Sequence, residues 1–133
     1  MSNKIDKILA EISAGELFDK ITILEIKKTK ISNKEKLIDI NKELSSLNET
    51  VKKFIPDQSS ISNYINDLRD INLKLWNIED EIREKERDKK FDEEFIRLAR
   101  DVYITNDKRA KIKNEINLRL NSKVFEIKSY KNY

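Results

Sequence analysis

The chain has no cysteine and no histidine, and its 133 residues include one glycine and one proline. Each absence excludes something. An average chain of this length carries roughly nine glycines, so the Gly- and Pro-rich turns of an all-β fold are missing. Gly15 alone cannot build a phosphate loop or a dinucleotide fingerprint. Without cysteine there are no disulfides, thiolate nucleophiles, iron–sulfur clusters or Cys-ligated zinc, and no mark of an oxidising compartment. Without histidine there is no Ser-His-Asp triad and no imidazole base. No apolar run approaches the roughly 18 residues of a membrane span, and Met1–Ala10 lacks the apolar core of a signal peptide. A soluble, cytoplasmic protein is expected.

What is present is charge and aliphatic side chains: 40% of residues are charged and 38% hydrophobic, with 28 Lys+Arg against 25 Asp+Glu. A core can form if the apolar residues gather on one face of each element, and a disordered chain would hold fewer Ile and Leu. A net charge of +3 does not call for nucleic acid. The segment from Asp101 to Tyr133 is basic, whereas Ile61–Arg100 is slightly acidic. The abundance of Ile, Lys and Asn reads as genomic base composition.

Ser13-Ala14-Gly15-Glu16 has capping-box spacing, with the Ser13 hydroxyl taking the Glu16 N–H and the Glu16 carboxylate reaching back to Ser13. A helix is expected over 14–31. Its apolar residues Leu17, Phe18, Ile21, Ile23, Leu24 and Ile26 go nearly all the way round, the pattern of a helix buried on several sides. The β-branched run Ile21–Ile26 offers a strand as the rival, and the capping box favours the helix. Ile5, Ile8, Leu9 and Ile12 also have helical spacing, over a short segment.

Leu37, Ile40, Leu44, Leu47, Val51 and Phe54 alternate three- and four-residue steps, as do Ile61, Tyr64, Leu68, Ile71, Leu75, Ile78 and Ile82. Both are heptad seams. Pro56 and Ser59-Ser60 between them supply a stop and a Ser N-cap, so an elongated, coiled-coil-like antiparallel hairpin over 33–88 is expected. Phe91, Phe95, Leu98 and Val102 mark a helix over 91–104, and Thr105-Asn106 can cap a last one over 106–121, ended by Asn121-Ser122. The tail 122–133 should dock on the helices or pair as a short strand. The whole is expected to be one all-α domain, 1–133, with shorter helices packed at the base of the hairpin.

Charged residues inside apolar stripes nominate a site. Asn72, Glu79 and Glu86 fall within about 60° of Leu75 on a helical wheel, and Arg109 falls between Ile116 and Leu120. Arg109 needs a carboxylate if it is buried, and Glu79 is the natural candidate. Asp80-Glu81-Ile82-Arg83-Glu84 holds half of a metal-binding E-E-x-x-E pattern, without its second half. Arg97, Arg100 and Lys113 suit phosphate, and a helix N-terminus at Thr105-Asn106 would add free N–H groups of Asp107 to Arg109, against which Asp107 argues by its own charge. The candidate polar cluster is Glu79, Arg83, Arg97, Arg100, Tyr103, Asn106, Asp107, Arg109 and Lys113.

The segments Ile12–Lys27, Leu75–Glu86, Phe95–Asn117 and Lys128-Ser-Tyr-Lys-Asn-Tyr133 resemble a small bacterial family of unknown function, some of whose members occur near glycosyltransferase or polysaccharide genes. The resemblance carries no catalytic residues. It implies that Glu16, Asp19, Lys20, Glu79, Asp80, Arg83, Arg97, Arg100, Tyr103, Asn106, Asp107, Arg109 and Lys128 match the family pattern.

The sequence thus points first to a non-catalytic module that forms a homodimer or binds a partner protein, because two heptad seams and an all-round apolar helix carry more apolar surface than a thin hairpin covers. The alternative is an enzyme or binding pocket for a phosphorylated or sugar-nucleotide ligand, and a weak nucleic-acid binder stands third. No catalytic residue, metal ligand or cofactor is assigned, and no membrane partner is expected.

Overall fold

The structure, a computed structural model, describes residues 4–123. It is all-α: α1 (Ala14–Lys30), α2 (Lys34–Phe54), α3 (Ser62–Arg87) and α4 (Glu93–Arg119), with no strand among the described residues. The strand alternative at Ile21–Ile26 is thereby settled as helix. The expectation for the C-terminal tail falls almost wholly outside the described residues.

Helix α1 begins where its cap dictates. Ser13 is extended, and its hydroxyl accepts from the Glu16 N–H at 3.0 Å. Two further first-turn donors are satisfied from the far end of the chain: the Gly15 N–H donates to Asn117 Oδ1 at 2.7 Å and the Ala14 N–H to Ser122 Oγ at 3.2 Å. The reciprocal half of the capping box does not form, because the Glu16 carboxylate turns to Lys113 Nζ at 2.7 Å instead. Gly15 is required by packing, not by its dihedrals. A Cβ there would run into the backbone carbonyl of Lys113, whose carbon would lie only 2.9 Å away, so the single glycine lets α1 and α4 approach closely.

Helix α1 is the centre of the fold and packs against each of the other three, as its all-round apolar pattern requires. Helix α2 approaches α1 alone, while α3 and α4 lie along one another. The hairpin expected over 33–88 therefore gives way to a different pairing. Helix α1 covers the seams of α2 and α3, and the antiparallel neighbours are α3 and α4. Lys85 near the end of α3 meets Asp92 at the start of α4 at 3.0 Å, and Arg119 at the end of α4 reaches Tyr64 at the start of α3 at 3.2 Å. Leu17, Phe18 and Ile21 of α1 join Val51, Ile61, Leu68 and Ile116 in one core, with Leu44, Leu47 and Tyr64 packed on it.

Helix ends differ in detail from expectation. Helix α2 stops at Phe54, ahead of Pro56, but α3 starts from Ile61 without a side-chain cap, where a serine of Ser59-Ser60 was expected. At the end of α3 Lys89 adopts a left-handed φ of 55° and the Lys90 N–H closes on Lys85 O at 2.9 Å. Asp92 then caps α4, its Oδ1 accepting from the Phe95 N–H at 3.0 Å. No break occurs at Thr105-Asn106. Without Gly or Pro there, the modest helix penalty of Thr and Asn is not enough to end the helix. Thr105 is buried mid-helix, and Asn106 Oδ1 accepts from Arg109 rather than capping. Asn121, with φ 52°, ends the run as expected. Residues 4–13 form no helix, and Ile5, Ile8 and Leu9 stand exposed.

Candidate functional site

One side of α1 carries Glu16, Asp19 and Ile23 at helical spacing, and these face the groove between α3 and α4. Asp19 is the anchor. Its side chain is 1% exposed, and it accepts from Arg109 through two guanidinium nitrogens, Nε on Oδ1 at 2.8 Å and Nη2 on Oδ2. Asn72 Nδ2 donates to Asp19 Oδ1 and to Thr22 Oγ1, both at 2.9 Å, while the Thr22 hydroxyl donates to the Asp19 backbone carbonyl at 2.9 Å. Lys113 Nζ lies 3.9 Å from Asp19 Oδ2 and joins the same network to Glu16. Two carboxylates meet two cations, so the buried charge is balanced. Such a network is costly to break from one side, about 3–5 kcal/mol for a buried pair.

Burial pushes the Asp19 carboxyl upward. The hydrogen bonds from Arg109 and Asn72, with the positive charges of Arg109 and Lys113, outweigh that and hold it below the ordinary aspartate value of 3.8. Asp19 is therefore ionised at neutral pH, and Arg109 is matched by it.

Above this floor opens a cavity of about 450 Å³, walled by Ile23 of α1, by Asn72, Leu75, Trp76, Glu79, Asp80 and Arg83 of α3, and by Asn106 and Arg109 of α4. The spacing explains the wall: on α3, Asn72, Trp76, Glu79 and Arg83 recur at three- and four-residue steps and share a face. Trp76 is the only tryptophan of the chain. Glu79 Oε2 lies 3.4 Å from Arg83 Nε, a pair open to solvent.

Of the nominated residues, Glu79, Arg83, Asn106 and Arg109 line this cavity, and Lys113 lies beneath it in the ion network. Arg109 pairs with Asp19, not with Glu79, whose nearest cation is Arg83 on its own helix. Arg97 pairs with Glu94 at 3.1 Å, and exposed Arg100 lies on the side of α4 opposite Arg109. Neither joins the site. Tyr103 and Asp107 sit on α4 to the far side of Asn106 and are not among the residues that wall the cavity. The anion nest at Asp107–Arg109 does not exist, because those N–H groups lie inside a continuous helix. No group of three Asp or Glu among the described residues is placed to hold a metal ion, and the half-pattern at Asp80–Glu84 stays a helix face.

Thr22, Thr105 and Asn117 were not nominated, and Asp19 entered only through the family resemblance, not as the partner of Arg109. Asp19 carried a legible signal, since it is a carboxylate between Phe18 and Ile21 in the helix whose apolar residues surround it. Asn117 accepts from Gly15 across a long sequence separation, which periodicity does not reveal.

Fold and site together define an all-α helical domain with a buried ion network under an open, mixed polar and aromatic cleft. The chain belongs to the family of unknown function DUF6165, whose model matches residues 8–133. It matches no curated protein and no solved structure. Among the described residues no helix is long and apolar enough to cross a membrane.

Proposed function

We propose that this chain is a non-catalytic cytoplasmic binding module, and that its site is the α1/α3/α4 cavity. The observation that carries this is the combination of a cavity of about 450 Å³ with a floor fixed in advance by Asp19, Arg109 and Asn72. That volume lies within the roughly 300–1,000 Å³ of small-molecule sites, and a fixed floor lowers the ordering cost of binding. The seams leave less apolar surface for self-association: Ile40 and Val51 of α2, and Leu68, Leu75 and Ile78 of α3, are all buried within one chain. A thermal-shift screen with sugars, sugar nucleotides, nucleotides and Mg²⁺ tests the proposal. Ligand at about 100 times its dissociation constant adds roughly 2.7 kcal/mol of stability. A shift that Trp76→Ala abolishes supports the site; a screen without shifts counts against it.

A second reading keeps a partner protein or a second copy, and one observation favours it. Ile5, Ile8 and Leu9 are 75%, 77% and 87% exposed, at the spacing of an apolar helix face. Light scattering of the full chain against a variant carrying serine at these three positions tests it, a strict monomer in both cases counting against self-association.

A further inference from the structure

We infer that the ligand of the α1/α3/α4 cavity is a neutral, hydroxyl-rich ring, a sugar or cyclic polyol, and not a phosphate or an amine. The inference rests on the proposal that this cavity is the binding site, and it follows from what the walls offer a ligand. Of the two cations in the wall, Arg109 is the deeper, but Asp19 holds it bidentately, so its charge is matched. Glu79, Asp80 and Arg83 remain as the charged groups of the wall. Glu79 lies beside Arg83 at 3.4 Å, and Asp80 has no ion-pair partner among the described residues, so carboxylate is in excess.

A phosphate only accepts hydrogen bonds at its ionised oxygens, and here it would meet two carboxylates that can only accept. An ammonium can donate to Glu79 and Asp80, but it has no acceptor to offer the Arg83 guanidinium or the Asn106 amide and so leaves those donors unmatched. A hydroxyl does both: it donates to Glu79 or Asp80 and accepts from Arg83. Asn106 adds a further donor, since its Oδ1 already accepts from Arg109 at 3.3 Å and its amide nitrogen is left to the ligand. The remaining wall is Leu75, Ile23 and the Trp76 indole, an apolar surface suited to the C–H face of a ring and to few other parts of so polar a molecule. A mixture of donors and acceptors around an aromatic platform selects a ring bearing several hydroxyls.

The test is an NMR titration of the full chain with neutral hexoses, their disaccharides and myo-inositol, run beside inorganic phosphate and spermidine. The Trp76 indole N–H and the Asn106 side-chain amide are the reporters. Neutral polyols should shift both reporters saturably, while phosphate and spermidine leave them in place. Asp80→Asn and Arg83→Gln, both at exposed positions, should each weaken polyol binding by about tenfold. If phosphate or spermidine moves the two reporters and polyols do not, the ligand class is overturned while the cavity stands as the site. If no probe moves them, or polyols shift only other regions, both the class and the site fall. Polyol binding that neither variant weakens also overturns the class, since the hydroxyls would then be read by other groups.

Discussion

Helices α1 and α2 are consecutive and similar in length, 17 and 21 residues, yet eight residues of α1 are buried against two of α2. Helix α2 has the cleaner heptad seam, and it is peripheral. Helix α1 has the untidier pattern, and everything packs on it. A regular stripe satisfies one neighbour; apolar residues on all sides demand several, and the polar residues caught among them, Asp19 and Thr22, become the interior network. Regularity of pattern and depth of burial are thus different signals.

This contrast can be broken most severely at Arg109. Arg109→Met leaves Asp19 buried without its bidentate partner, and chemical unfolding should show a loss of about 3–5 kcal/mol. Gly15→Ala comes next, since the added methyl meets the α4 backbone, and overpacking of that kind costs about 1–3 kcal/mol. A half-buried position on α2 should be milder: Leu44→Ala is expected to lose about 1–2 kcal/mol, less than a fully buried leucine. A Leu44→Ala cost above that of Gly15→Ala would reverse the ranking of the two helices. Smallest of all is Lys52→Gln on α2, whose pair with Glu49 is exposed on both sides and should change stability by less than about 0.5 kcal/mol.

The pH dependence sharpens the same comparison. The Asp19 carboxyl is held below 3.8 in the folded chain, so its contribution is fully present above that ordinary value and is lost as pH falls through the lower folded value. Acid titration followed by circular dichroism should show stability falling below about pH 4, and Asp19→Asn should be less stable at pH 7 with a shallower fall in acid. An unchanged acid limb in that variant would mean that Asp19 is not the group responsible.

Much of the fold was legible because local physics determined it. Ser13 begins α1, Pro56 lies just past α2, Asn121 ends α4, and the periodicities of α2 and α3 are those observed except at the last seam residue of α2, Phe54, which is 68% exposed. What failed was pairing and continuity. Two heptad seams joined by a turn suggest mutual packing, yet a third helix can cover both, and no local rule says which arrangement wins. Thr105-Asn106 looks like a cap only until Asn106 finds Arg109 and Thr105 is buried. The site was half legible for the same reason. Helical spacing put Asn72 and Glu79 on one face and flagged Arg109, whereas the partner of Arg109 depends on where α1 crosses, which is tertiary.

Asp19 of α1 clasps Arg109 of α4 beneath the cavity, and that contact fixes the floor of the site. The most direct measurement is a double-mutant cycle of Asp19→Asn and Arg109→Met by urea unfolding at neutral pH. Each single change should be strongly destabilising, and the double variant should lose markedly less than their sum, a coupling of roughly 2–3 kcal/mol. Additivity within about 0.5 kcal/mol would contradict the pairing, and with it the fixed floor on which the cavity rests.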